Sequence, residues 1–213
     1  MDFINPDILR YSEEHTHPES DLLKKINRDT MANVMMSRML SGHIQGRILS
    51  MVSRMIKPKL ILEIGTFTGY SAICLAEGLQ HDGKLITIDV NEELEDKVRS
   101  YFQEAGLTKQ VDYRIGKALD IIPGLTGPFD LVFIDADKQN NSVYFDLVID
   151  KIPVGGFIMV DNVLWSGKVL LKEPDKDTRN VLAFNDKVQR DSRVENVLLP
   201  VRDGISVMQK VRD

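Results

Sequence analysis

The sequence contains one cysteine, Cys74, among 213 residues. A disulfide framework and a cysteine-based zinc site are therefore excluded, and a reducing compartment is the natural expectation. Also absent is any apolar run approaching the ~18 residues that span a bilayer. The opening segment, MDFINPDILR, carries Asp2, Asp7 and Arg10 where a signal peptide needs an uninterrupted apolar stretch. The expectation is a cytoplasmic protein with no membrane partner. Basic charge is in short supply: 27 Lys and Arg stand against 32 Asp and Glu, a net charge of -5. Phosphate polyanions need a basic surface, so no nucleic-acid partner is expected. Internal repeats and low-complexity linkers are missing too, which leaves one globular domain over residues 1–213 as the expected organisation.

What is present falls into two textures. Residues 1–57 read as a helical extension and residues 58–213 as an α/β core. The extension predicts a helix from Ser20 to about Leu40, capped by Ser20 or Asp21, with Met31, Met35 and Met39 on one face. A second helix carries Ile44, Ile48, Met51, Val52 and Met55 in one stripe and stops at Pro58. Met51 and Met55 are expected in the core. From Leu60 the period changes. Apolar runs at Leu60–Ile64, Leu85–Ile88, Val111–Ile115, Phe129–Ile134 and Gly156–Val160 alternate with helical stretches near 70–79, 92–105, 117–122 and 139–150. Such alternation predicts βαβ units and a parallel sheet covered on both faces. A further helix near 178–190 precedes Val194–Val201, the turn Asp203-Gly204 and Ile205–Lys210, which predict a closing antiparallel hairpin.

In doubly wound sheets, ligands bind beyond the carboxyl ends of the strands, where the strand order reverses. The first such end reads Glu63-Ile-Gly65-Thr66-Phe67-Thr-Gly69-Tyr-Ser71. Gly65 and Gly69 let backbone approach a ligand closely. The spacing is wrong for the G-x-G-x-x-G dinucleotide fingerprint, and no Gly-Lys-Ser/Thr phosphate loop occurs. A glycine turn without phosphate machinery suits a nucleoside ligand. Asp89, ending the second strand, is placed to accept hydrogen bonds from ribose hydroxyls. Taken singly, the turn is equally a packing feature and Asp89 equally a helix cap. Together they favour an adenosyl ligand.

The fourth strand ends Asp135-Ala-Asp-Lys138 and the fifth ends Asp161-Asn162. If these strands are neighbours, they lie about 4.8 Å apart and bring two carboxylates and an amide oxygen together. A hard, all-oxygen set of this kind suits Mg²⁺, with Mn²⁺ or Ca²⁺ as alternatives. Each acid alone reads as readily as a turn or cap residue. Lys138 lies three positions from Asp135, and a nearby dication favours a neutral amine, making it a candidate general base.

These segments, with Met39–Gly46 and Leu199–Ile205, resemble the cation-dependent O-methyltransferases of the catechol and caffeoyl-coenzyme A type over about residues 30–210. The resemblance implies a Rossmann-like class I methyltransferase: a seven-stranded, mostly parallel sheet with the last strand antiparallel, an N-terminal helical lid, and a homodimer. It also implies methyl transfer from S-adenosylmethionine to a hydroxyl of a small aromatic vicinal diol. Met39, Ser41, Glu63, Gly65, Thr66, Phe67, Ser71, Asp89, Ala118 and Asp135 would meet the cofactor. Asp135, Asp161 and Asn162 would hold the cation, Lys138 and Asp135 would serve catalysis, and Lys138 and Trp165 would meet the substrate. Three departures point to an altered acceptor pocket: Asn141 where bacterial and plant relatives often have tyrosine, and Leu119 and Val197 where the animal catechol enzymes have glutamine and glutamate. A nicotinamide-dependent oxidoreductase and a non-catalytic S-adenosylmethionine-binding protein are the rival readings.

Overall fold

The computed structural model describes residues 5–213, so Asp2 lies outside the described residues. Three helices come first: α1 (Pro6–Glu14), α2 (Asp21–Asn33) and α3 (Gly42–Ile56). The core then runs β1 (Leu60–Ile64), α4 (Tyr70–Ala76), β2 (Lys84–Asp89), α5 (Glu95–Glu104), β3 (Val111–Ile115), α6 (Ala118–Ile121) and β4 (Leu131–Ile134). It closes with α7 (Asn141–Ile149), β5 (Phe157–Asp161), α8 (Lys176–Arg190), β6 (Val194–Leu199) and β7 (Ile205–Lys210).

The strands form a seven-stranded sheet in the order β3-β2-β1-β4-β5-β7-β6. β1 to β5 pair in parallel, and β7 runs antiparallel to both β5 and β6. That is the architecture expected of a class I methyltransferase. Every residue of β4 is buried, because helices cover both faces. Alternate side chains feed two cores. Leu62 and Ile64 join Phe145, Phe184 and Ile158 on one side, while Ile61 joins Leu23, Leu49, Tyr70 and Phe102 on the other. The strand order reverses between β1 and β4, so the switch point lies at their carboxyl ends.

Two expectations for the N-terminal helices are corrected. The predicted helix from Ser20 is capped as expected, with its hydroxyl accepting from Leu23 N, but it ends at Asn33. Val34 is extended, Met36 is left-handed, and only a short 3-10 turn spans Ser37–Met39. Met31, Met35 and Met39 therefore share no helical face, and all three are exposed. The break lets the chain turn back, so that both guanidinium nitrogens of Arg202 reach the Leu40 carbonyl at 3.2 Å.

In α3 the predicted stripe is only partly buried: Ile48 and Val52 pack against the core, but the methionines do not. Met51 and Met55 are 60% and 76% exposed, while Gln45, Gly46, Leu49, Ser50 and Ser53 are buried. Small residues win that face because α4 packs very closely: a Cβ at Gly46 would lie 2.6 Å from the Tyr70 ring and 2.9 Å from Cys74 Sγ. Cys74 is itself fully buried.

Phe145 is fully buried and meets Phe184 edge to face, with ring centroids 6.5 Å apart. Phe145→Ala is expected to cost about 3–5 kcal/mol, read from urea unfolding. A loss below that range would mean that α7 and α8 collapse around the gap.

Candidate active site

At the switch point the chain turns sharply through Gly65, whose φ of +104° suits glycine. A Cβ there would stand 2.0 Å from the Asp135 carbonyl oxygen, so the first turn lies directly against the end of β4. Thr66 is buried and shares a hydroxyl contact with Thr87. Phe67 donates its backbone N–H to Asp89 Oδ2 at 2.6 Å, and Asn91 N donates to Asp89 Oδ1 at 2.9 Å. Asp89 thus ties the first turn to the end of β2. The cap of the next helical turn is Asn91, whose side chain accepts from Glu93 N.

These elements wall a cavity of about 1050 Å³. Met39, Ser41, Gly65, Thr66, Phe67, Ser71, Asp89 and Ala118 line one part, and Asp135, Lys138, Asp161, Asn162 and Trp165 line another. Of the residues expected to meet cofactor, cation or substrate, Glu63 alone is not in the lining. It is fully buried, and one carboxylate oxygen accepts from Thr87 while Oε1 has no partner among the described residues. Burial pushes its carboxyl from 4.5 to about 8, against the Ser71 and Thr87 hydroxyls and with help from the Asp135 and Asp89 charges.

The neighbouring register Ile134↔Val160 puts Asp135 and Asp161 side by side at the next positions. Lys138 Nζ stands 2.9 Å from Asp135 Oδ1, both side chains being largely buried. Asp161 accepts from Gln45 Nε2 and from Asn162 N, each at 2.7 Å. Burial, then the Asp135 charge, lifts Asp161 to about 6, opposed by Lys138, Gln45 and Asn162. No group of three or more His, Cys, Asp and Glu side chains with metal-binding geometry occurs among the described residues. The donor chemistry of two acids and one amide nevertheless fits a hard dication, since the acids repel each other and a cation between them would relieve that repulsion.

Several residues at the site carried no role in the sequence reading. Gln45 bonds Asp161, Arg202 bonds Gln45, and Asp203 accepts from Asn162 Nδ2. A polar residue at the centre of the stripe Ser41, Gln45, Leu49 was the one available signal. Tyr144 and Asp137 also line the cavity, joined through the Tyr144 hydroxyl at 2.5 Å. Asn141, Leu119 and Val197 do not line it. Asn141 is buried with its amide unpartnered among the described residues, and Val197 is 52% exposed on the edge strand β6. Leu9, Arg38, Tyr144, Trp165, Ser166 and Lys168 are also in the lining. Trp165 buries its indole N–H without an acceptor among the described residues, and Lys168 Nζ lies 5.8 Å from its ring centroid.

A cavity at the switch point, beyond the carboxyl ends of this seven-stranded sheet, fits the class I methyltransferase fold. The O-methyltransferase family profile matches residues 13–211, and the chain belongs to that family. It is accordingly an S-adenosylmethionine-dependent O-methyltransferase. Caffeoyl-CoA O-methyltransferase from Eucalyptus gunnii is 34% identical over 213 residues, covering 94% of this chain and 85% of the relative. Caffeoyl-CoA O-methyltransferase 1 from Arabidopsis thaliana is 33% identical, covering 96% and 83%. Among solved structures, the O-methyltransferase TomG from Streptomyces achromogenes, in complex with SAM, superposes with a TM-score of 0.88 at 30% identity, covering 96% of both chains. A Bacillus cereus O-methyltransferase in complex with SAH gives 0.84 at 29% identity, covering 96% and 97%.

The Glu63 environment yields a pH signature. An unfolded chain ionises this carboxyl near 4.5, whereas the folded, ligand-free protein keeps its proton to about 8. Stability from this group is therefore lost as pH rises through that window, and the penalty is complete above it. Glu63→Gln is expected to flatten the decline between those limits in urea unfolding. Parallel pH profiles for the two proteins would contradict the assignment.

Proposed function

We propose that this methyltransferase acts on a hydroxyl of a catechol-like vicinal diol, in a divalent-cation-dependent reaction with Lys138 as general base. The observation that carries this reading is the Lys138–Asp135 pair beside buried Asp161, in the same cavity as the Gly65 turn and Asp89. S-adenosylmethionine supplies a sulfonium methyl group when bound, and a cation held by Asp135, Asp161 and Asn162 supplies Lewis acidity that favours the ionised hydroxyl.

The chain's own groups do the rest. Asp89 accepts from the ribose hydroxyls while its backbone bonds hold it at the end of β2. Met39, Ser41, Thr66, Phe67 and Ser71, all in the cavity lining, would enclose the cofactor, with Ala118 beside its adenine and Gly65 giving it room near the β4 end. Glu63, buried behind that turn, acts on the cofactor through the shape of the turn. With Asp135 engaged by the cation in place of Lys138, the lysine would be free as a neutral amine to take the hydroxyl proton at Nζ. The ionised oxygen would then accept the sulfonium methyl group, with S-adenosylhomocysteine as the leaving group. Trp165 offers a face to the aromatic acceptor. A phenol ionises near pH 10, so removal of its proton is the part of the barrier these residues must lower; alignment supplies much of the remainder. The same reading carries a single domain over residues 1–213, with residues 1–57 as its helical extension. It also carries a cytoplasmic homodimer with small-molecule substrates only.

Catechol turnover with labelled S-adenosylmethionine tests the proposal. Lys138→Met is expected to lower kcat by about 10²–10⁴-fold. EDTA should abolish turnover, and added Mg²⁺ should restore it. Undiminished methyl transfer in either experiment would remove the base or the cation from the mechanism.

A further inference from the structure

Gln45, Arg202 and Asp203 stand outside the proposed ligand set, yet two of its three members lean on them. Gln45 is fully buried on α3. Its Nε2 donates to Asp161 Oδ2 at 2.7 Å, and its Oε1 accepts from Arg202 Nη1 at 3.1 Å. A guanidinium only donates, so it fixes the sense of the amide: the carbonyl must face Arg202 and the NH₂ must face Asp161. Arg202 is in turn pinned to the Leu40 carbonyl through both terminal nitrogens.

The next residue acts on the second ligand. Asp203 Oδ2 accepts from Asn162 Nδ2 at 3.2 Å, and Asp203 Oδ1 accepts from Ser166 N. A carboxylate only accepts, so Asn162 must give its NH₂ to Asp203 and leave its carbonyl oxygen for the cavity that both residues line. The turn carrying these residues is itself held rigidly. Leu164 N donates to Asp203 O at 2.9 Å and Val163 N to Gly204 O at 3.2 Å. A Cβ at Gly204 would lie 2.9 Å from Leu164 N, so only glycine lets the two segments lie so close.

We infer that Gln45 and Asp203 are positioning residues of the proposed cation site, Gln45 orienting the Asp161 carboxylate and Asp203 turning the Asn162 amide oxygen inward. The inference rests on the cation reading above and deepens it. Two stretches remote from the ligands in sequence, α3 and the β6–β7 turn, thereby select which oxygens a hard dication meets. Partners that orient metal ligands commonly contribute 10–100-fold to metal affinity.

The test is a titration of full-length protein with Mn²⁺, following free Mn²⁺ by electron paramagnetic resonance, for wild type, Gln45→Met and Asp203→Asn. Gln45→Met keeps the volume and removes both hydrogen bonds. Asp203→Asn replaces one acceptor oxygen with a donor, which can turn the Asn162 amide around. Each variant is expected to weaken Mn²⁺ binding by about 10–100-fold. The S-adenosylhomocysteine Kd should stay at the wild-type value, which a merely structural role would not allow, while Tm falls for Gln45→Met because Asp161 loses a buried donor. Wild-type Mn²⁺ affinity in both variants overturns the inference. So does a joint loss of Mn²⁺ affinity and S-adenosylhomocysteine affinity. Loss in one variant alone keeps that residue and removes the other. If Gln45→Met does not fold, Asp203→Asn, at a half-buried turn position, decides alone. Failure of the wild type itself to bind Mn²⁺ sinks the cation reading, a result distinct from all of these.

Discussion

The closest constraint in the molecule is the passage of the Gly65 backbone against the Asp135 carbonyl, where a Cβ would stand 2.0 Å from oxygen. It occurs where the strand order reverses, between β1 and β4. Because β1 ends in a left-handed glycine, the chain leaves the sheet at once and lays the Thr66–Ser71 turn over the neighbouring strand end. That geometry makes one cavity out of two chemistries. The turn and Asp89 form a nucleoside-sized wall, and the ends of β4 and β5 present acids and a lysine to the same space. A wider crossing would separate them into two clefts.

Drawing Glu63, Asp89, Asp135 and Asp161 to one sheet edge carries an electrostatic cost, and the protein meets it differently at each position. Glu63 keeps its proton toward pH 8 because it is sealed from water. Asp89 is satisfied by two backbone N–H groups. Asp135 pairs with Lys138, and Asp161 receives Gln45 and Asn162. Asp161 still sits at about 6, above the ordinary carboxylate value of 3.8, because burial first and the Asp135 charge second outweigh its hydrogen-bond partners.

Much of this was legible in the sequence for a simple reason. Strands buried on both faces read as unbroken apolar runs, so Leu60–Ile64 and the run ending at Ile134 announce themselves, and the residues just past them are the strand ends that matter. Hydrophobic period, by contrast, says that a stripe exists without saying which stripe is buried. In α3 the methionines faced outward because Gly46, Ser50 and Ser53 allow α4 to approach more closely than any large side chain would. Nor could local pattern place the segment that follows α2, since its Leu40 carbonyl is held by Arg202, 162 residues away. Gln45 was hidden likewise: it meets Asp161 across 116 positions and Arg202 across 157.

The same division explains why the reaction is easier to read than the acceptor. The methyl-transfer apparatus hangs on strand ends whose register is fixed by the sheet, so sequence position translates directly into spatial position. The rest of the cavity lining comes from pieces that no register governs, among them Leu9 of α1, Arg38 in the turn after α2, and the loop after β5. In that loop Trp165, Ser166 and Gly167 are all left-handed, two of them without the freedom of glycine. Such a backbone persists only where its surroundings over-determine it, and here Asp203 grips Ser166 N while Lys168 approaches the Trp165 ring. Loop residues on a rigid scaffold can vary without disturbing the strand ends. Strand ends fixed by register are thus bordered by a strained loop, and Trp165, Ser166 and Lys168 of that loop line the cavity where Asn141, Leu119 and Val197 do not.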